Sequence, residues 1–391
     1  MLATDLNARL PTLPRLTTDK RFTLDGDDSL EARLAASCQA VARGVQQIVP
    51  ERKLEALLLG GGYGRGEGGV LQTRDGDQPY NDLEFYVLIS GNRFLNRRRF
   101  APALNRLAHE LTEFAGVEVE FHIISSAQLR NSQPSMFYYD LVVGHQQLCG
   151  NANALRGCNH HCDPTRLPPI EATRLLMNRG TGLLLAREKL SGEVITSDDR
   201  DFIWRNIAKA QLALGDAILT VCGQYHWSCR ERNARLSALD QSVARQPWFD
   251  LVCCNHDSGL KFKLHPHRSD ASAAELSQRH QSVVDLMQEV WLWIESQRLQ
   301  TAFHSARHYA TSALNKCPET NPWRNRLLNT RLFGPAILWS PSSRRHPRER
   351  VFNALSLLLW YEADSADILS GLLRSDSNFV EAYKTIWQRV R

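Results

Sequence analysis

The sequence has no uninterrupted apolar run approaching the ~20 residues that span a bilayer; Leu57-Leu58-Leu59 and Leu357 to Trp360 are short. No membrane-crossing helix and no membrane partner are expected. From Met1 to Lys20 the leucines are interrupted by Asp5, Arg9, Pro11, Pro14 and Arg15, which leaves no continuous signal-peptide core and makes the cytoplasm the expected compartment. Cysteine is too sparse for a disulfide framework: nine residues, an odd number scattered over 391, read as reduced thiols. Lysine is scarcer still, supplying eight of the 47 basic residues. The arginines that replace it suit bidentate phosphate contacts. A net charge of +5 is too small to indicate nucleic acid as a partner. Internal repeats and low-complexity tracts are also lacking.

What is present is a soluble globular composition, with 43% hydrophobic and 23% charged residues in a chain long enough for two or three domains. Asp28 with Glu31 predicts a capping box, followed by Leu30, Leu34, Cys38, Val41, Val45 and Ile48 at helical spacing. Strands are predicted at Leu54 to Leu59, Asp82 to Ile89 and Val117 to Ile124. A helix marked by Phe100, Leu104, Leu107, Leu111 and Phe114 and closed by Gly116 lies between the last two. Met136 to Val143 reads as helix and His145 to Cys149 as a short strand, before a turn-rich connection from Gly150 to Pro169. From Ile170 the pattern is helical, strongest at Ile170 to Lys189, Asp198 to Cys222, Ala273 to Leu299 and Arg348 to Ala366. Pro318 to Pro347, richer in Pro, Ser, Asn and Arg, reads as including exposed loops. The expected architecture is α+β: a mixed sheet with flanking helices over residues 1–155, then an all-α domain over 156–391.

The stretch that carries chemistry runs from Gly60 to Gly69, Gly-Gly-Gly-Tyr-Gly-Arg-Gly-Glu-Gly-Gly, and continues to Asp82-Leu83-Glu84. Glycines at a strand end let backbone N–H groups approach an anion closely. Strand alternation puts Asp82 and Glu84 on one face and Leu83, Phe85 and Val87 on the other. Two carboxylates on one face can share divalent metal, and hard oxygen ligands in an open site suit Mg²⁺. On the next strand Glu118, Glu120 and His122 alternate with Val117, Val119 and Phe121. Glu120, well inside that strand, is the expected third metal-site carboxylate, with Glu118 as the alternative and His122 beside either.

A Gly-Gly loop followed by an acidic-x-acidic strand resembles the DNA polymerase β-like nucleotidyltransferase superfamily. The loop is similar to that of the uridylyltransferases that modify the PII nitrogen-regulatory protein, and the helical domain that follows resembles kanamycin-type antibiotic nucleotidyltransferases. The departures are Glu84 where many members carry Asp, Asn81 where Ser is frequent, and a long connection from Val70 to Tyr80. The resemblance implies a nucleotidyltransferase-type sheet and Mg²⁺-dependent transfer of a nucleoside monophosphate from an NTP to a hydroxyl of a small molecule or protein. It implies that Asp82, Glu84 and Glu120 are catalytic and hold Mg²⁺. Gly61 and Gly62 would cradle the β- and γ-phosphates, Arg65 would donate to them, and Tyr63 would either pack on the nucleotide or support the loop. The alternative is a catalytically silent nucleotide-binding regulatory module; a nucleic-acid acceptor would need an arginine surface leading to Asp82 and Glu84.

Other clusters read more simply. Arg205, Lys209 and Asp216 share a helix face; Lys209 could meet the triphosphate and Asp216 act as a base, but a solvated or ion-paired face is the commoner arrangement. Asn178 and Arg179 pose the same choice. Cys158, His160, His161 and Cys162 match no common zinc spacing, Cys222, His226 and Cys229 read as small buried groups, His256-Asp257 stands alone, and Arg97-Arg98-Arg99 reads as a solvated helix face.

Overall fold

The computed structural model describes residues 20–360 and 365–390; the N-terminal stretch discussed above, apart from Lys20, lies outside them, as do residues 361–364 of the helix expected to end at Ala366. In chain order the first elements are α1 (Asp28–Ile48), β1 (Leu54–Leu59), α2 (Gly61–Arg65), β2 (Val70–Thr73), β3 (Gly76–Pro79), β4 (Leu83–Ile89), α3 (Arg93–Ala115), β5 (Val119–Ser125), α4 (Ser126–Asn131), α5 (Met136–Val143) and β6 (Gln146–Gly150). Helices then follow: α6 (Ile170–Leu190), α7 (Ser197–Val221), α8 (Cys229–Ser237), α9 (Gln241–Ala244), α10 (Phe249–Leu264), α11 (Ala273–Leu299), α12 (Ala306–Thr311), α13 (Pro322–Phe333), α14 (Pro347–Leu359), α15 (Ala366–Leu373) and α16 (Phe379–Val390). The chain is α+β, and no strand occurs after β6 among the described residues. No helix among them is long and apolar enough to cross a membrane.

The chain divides into two compact units. One takes the residues up to Gly68, Asp75–Gln128 and His145–Ala154; the other takes Gly69–Arg74, Leu129–Gly144 and everything from Leu155. Thus two short segments that precede the expected 155/156 boundary group with the helical unit.

The first unit is a four-stranded mixed sheet in the order β5-β4-β1-β6. β1 runs antiparallel to β4 and β6, while β4 and β5 are parallel. β1 is apolar because it is central: Ala56 to Leu59 are fully buried. α1 and α3 pack together and α3 lies along β5. The capping box at Asp28 is corrected. Asp27 is the N-cap, its Oδ1 accepting from Leu30 N at 2.7 Å. Glu31 instead accepts from the Phe22 and Thr23 N–H groups, each at 2.9 Å, and ties the preceding segment down. α3 ends as expected at Gly116, which takes φ 74°, but Phe114 is exposed rather than buried. The long Val70 to Tyr80 connection contains β2 and β3, and the Gly, Asp, Gln and Pro residues of β3 carry little strand propensity.

The helical unit builds its core on α6, α7, α10 and α11. Leu176, Leu183, Ile203, Leu214, Met287 and Trp291 are among the residues almost wholly removed from water. Trp291 meets Tyr309, Phe352 and Trp360 edge-on at ring-centre distances of 5.8, 6.1 and 5.7 Å, a favoured geometry for aromatic rings. Two histidines here have their pKa lowered. Burial pushes His280 down from 6.5 despite its ring nitrogen lying 2.8 Å from the Leu183 carbonyl. Burial, and then the cations Arg348, Arg174 and Arg324, push His346 to about 4. Both folded-state values lie below the unfolded one, so unfolding takes up protons at mildly acidic pH and stability rises with pH. The expected window, from His346, is about pH 4 to 6.5. Denaturant titrations at pH 4.5 and 7 should show the lower stability at 4.5, and His346→Gln should narrow the gap; an equal gap in the variant would contradict this origin.

Candidate functional site

β1 carries the chain straight into the glycine loop. The Gly60 N–H donates to the Glu84 carbonyl at 2.9 Å, so the loop starts hydrogen-bonded to the strand that bears the carboxylate. Gly61 takes φ +60° and opens α2. A Cβ on Gly61 would sit 2.9 Å from Glu84 Oε1, and one on Gly60 would sit 2.4 Å from Tyr86 Cε2. Both glycines are required by close approach: the loop backbone lies directly on the Glu84 and Tyr86 side chains.

Tyr63 is buried at 1% exposure. Its Oη accepts from the Tyr80 N–H at 3.0 Å, and burial foremost pushes its phenol up to about 12. Of its two expected roles, the geometry favours support of the loop. Tyr63→Phe should therefore cost about 1–3 kcal/mol by orphaning that N–H, measured by denaturant unfolding; an unchanged midpoint would count against the bracing role. Beneath the same loop, Lys20 Nζ donates to the Gly64 carbonyl at 3.2 Å. Burial lowers the lysine's pKa, the buried Glu67 carboxylate opposes this, and Arg65 adds to the lowering. Lys20 and Glu67 were not singled out in the sequence, because nothing local distinguishes them from surface charges.

On the sheet, parallel pairing sets Glu84 opposite Glu120 and Tyr86 opposite His122. Glu120 rather than Glu118 is thus the direct neighbour of Glu84. Asp82 and Glu118 precede the first residues of β4 and β5 and are exposed. Both still act on Glu120, whose carboxyl is held above the ordinary value by burial first and then by Asp82. Glu118 and Glu84 add to this, and His122 opposes it. Such a shift reflects partial burial of the carboxyl first, with neighbouring negative charges adding to it.

Neighbouring side chains engage the two inner carboxylates. Tyr86 Oη donates to Glu84 Oε2 at 2.6 Å, and His122 Nε2 lies 3.2 Å from Glu120 Oε2. The Tyr86 and His122 rings stack at 5.0 Å. Burial and then the Glu84 charge push the Tyr86 phenol strongly upward, so it stays protonated as the donor. Tyr86 was missed in the sequence although its position two residues beyond Glu84 places it on the same strand face. Among the described residues no three His, Cys, Asp or Glu side chains converge as a ready metal-ligand set.

Arg65 ends α2 within electrostatic reach of Tyr86 and Lys20. Lys209 belongs to the helical unit, exposed on α7. On the same helix Arg205 is half-buried, whereas Asp216 is buried and spent on Arg232 and His256. Of the two readings of Asp216, the ion-paired one describes it, although the group is buried instead of solvated. Asn178 accepts from Trp387 Nε1 at 3.1 Å, and Arg179 lies in the field of Asp216. The rings of His160 and His161 approach the Ser132 and Leu129 carbonyls at 3.0 and 2.9 Å. His226 Nδ1 accepts from Ser228 N and Cys229 is buried. Arg97, Arg98 and Arg99 are exposed on α3.

No family model matches this chain, and neither a curated protein nor a solved structure matches it.

Proposed function

We propose that the sheet unit is a nucleotidyltransferase-type domain that transfers a nucleoside monophosphate from an NTP to a hydroxyl group. The observation that carries this reading is the seating of Gly61 against Glu84 Oε1, 2.9 Å from where a side chain would begin. A loop able to present backbone N–H groups to phosphate therefore adjoins an acidic strand pair. Glu84 and Glu120 on adjoining strands, with Asp82 just ahead of β4, supply hard oxygen donors, and the Glu120 carboxyl is raised by burial first and then by the neighbouring carboxylates. Carboxylate oxygens are the donor type that Mg²⁺ takes, with waters and substrate phosphates completing its shell, and the ion when bound would neutralise triphosphate charge and lower the acceptor hydroxyl's pKa.

In this reading Gly61 and Gly62 bind the β- and γ-phosphates through their N–H groups, and Arg65 adds a charge-assisted donor. The acceptor oxygen forms a bond to the α-phosphorus, the α–β phosphoanhydride bond breaks, pyrophosphate leaves and the hydroxyl proton passes to solvent. Tyr86 orients Glu84 and His122 orients Glu120. The acceptor is a small molecule or a protein side chain, and the cytoplasm is the compartment proposed.

A second reading, a silent nucleotide-binding module, is favoured by the engagement of Glu84 by Tyr86 and of Glu120 by His122. Incubation with each of four α-phosphate-labelled NTPs, Mg²⁺ and a cell-extract acceptor pool separates the two. Label on an acceptor supports transfer, whereas saturable Mg-NTP binding without label supports the silent module. Absence of NTP binding would overturn both.

A further inference from the structure

The Arg-rich stretch before Pro347, expected to include exposed loops, also contains α13 and a segment tied to it. Asn325 and Asn329 on α13 are buried, and their side-chain amides donate to the carbonyls of Arg344, Ser343 and Arg345 at 3.0, 3.0 and 2.7 Å. These bonds staple α13 to the segment leading into α14. Between these elements and the end of α16 lies a pocket of about 550 Å³, within the size range that suits a small organic ligand.

Its walls divide chemically. Leu328, Leu332, Pro347 and Val390 are apolar, while Arg331, Arg348 and Arg389 bring three guanidinium groups and His346 adds a ring. Arg348 is half-buried, and the one hydrogen bond its side chain makes among the described residues runs from Nε to the Val390 carbonyl at 2.9 Å. That neutral acceptor positions the group without cancelling its charge. Among the described residues none of these three arginines has a carboxylate within 4.0 Å, although neighbouring Arg174 pairs with Glu171 at 2.5 Å. The positive field is felt locally, where Arg348, Arg174 and Arg324 add to burial in keeping His346 neutral. Three unneutralised guanidiniums over an apolar wall suit a dianionic group on a carbon body.

We propose that this pocket binds a small organic phosphate, its phosphoryl group held by Arg331, Arg348 and Arg389 and its carbon body against Leu328, Leu332 and Val390. The site lies wholly in the helical unit and does not depend on the reading given to the glycine loop.

Titration calorimetry on the full chain tests it with 1-naphthyl phosphate, using 1-naphthol and inorganic phosphate as partial probes. The expected result is one saturable site for 1-naphthyl phosphate, weaker binding of inorganic phosphate and none of 1-naphthol. Because a charge-assisted hydrogen bond is worth roughly tenfold to a hundredfold in affinity, Arg331→Gln and Arg389→Gln should each weaken 1-naphthyl phosphate at least about tenfold. Both residues are exposed, so these variants test the site even if Arg348→Gln fails to fold. Asp82→Ala/Glu84→Ala should bind the probe unchanged, which separates this site from the glycine loop. No saturable binding, affinity unaffected by both arginine variants, or equal binding of 1-naphthol would overturn the proposal.

Discussion

Arg232→Met is expected to destabilise the helical unit by about 3–5 kcal/mol, because it leaves a buried carboxylate without its main counter-charge. Arg232 and Asp216 expose 5% and 8% of their side chains and meet at 2.6 Å through Nε and Oδ1. The same oxygen lies 3.0 Å from His256 Nε2, whose other ring nitrogen is 2.8 Å from Asn233 Oδ1. Burial acts to raise the Asp216 carboxyl, yet Arg232 and then His256 more than offset it and hold it below its ordinary value. Arg232 also donates to the His226 and Trp227 carbonyls at 2.8 and 3.2 Å and covers the Tyr225 ring at 4.9 Å. Its loss would free the turn before α8 as well as the charge. Removing both partners, as Asp216→Leu/Arg232→Met, should cost less than the sum of the single changes, since neither charge is then stranded. Denaturant unfolding of the four proteins reads both quantities. A cost below about 1 kcal/mol for Arg232→Met would show that water reaches Asp216 and that the pair is not a true interior ion pair.

Asp82→Ala and Glu84→Ala are each expected to lower nucleotide transfer by about 10³-fold, the scale of several kcal/mol of lost transition-state charge stabilisation. Circular dichroism and thermal melting should stay close to wild type for Asp82→Ala, since Asp82 is exposed ahead of β4. Glu84→Ala also removes the acceptor of the Tyr86 hydroxyl and should lose some stability. Glu120→Ala and Glu118→Ala decide the third ligand. The parallel register puts Glu120 beside Glu84, so its loss should be the more damaging to transfer. A wild-type protein that transfers label while Asp82→Ala/Glu84→Ala transfers it equally well would remove these carboxylates from the chemistry and with them the nucleotidyltransferase reading.

Much of the local structure was legible because its signals are local. The apolar run Leu57-Leu58-Leu59 ending at Gly60 identified a buried strand and its exit, and α11 spans Ala273–Leu299 as its periodicity predicted. Asp27 displaced Asp28 as the cap because adjacent aspartates offer the same chemistry, and the angle at which the chain enters α1 selects one of them. β3 escaped notice because Gly, Asp, Gln and Pro have little intrinsic preference for strands, and β2 because four residues are too few to show a period.

The sequence by itself determined the composition of the candidate site: a glycine loop, the alternating carboxylates Asp82 and Glu84, and the Glu118, Glu120 and His122 series, each readable from a period of two. It also determined that strands give way to helices along the chain, because the hydrophobic period changes with them. Only the tertiary structure decided that Glu120 faces Glu84, that Tyr86 and His122 occupy the two inner carboxylates, and that Asp216 is a buried partner of Arg232 rather than a charge on a wet helix face. Each of those outcomes joins residues across strand pairing or helix packing. A side chain's periodicity specifies the face it occupies, but its burial, partner and protonation depend on what the rest of the chain lays against that face.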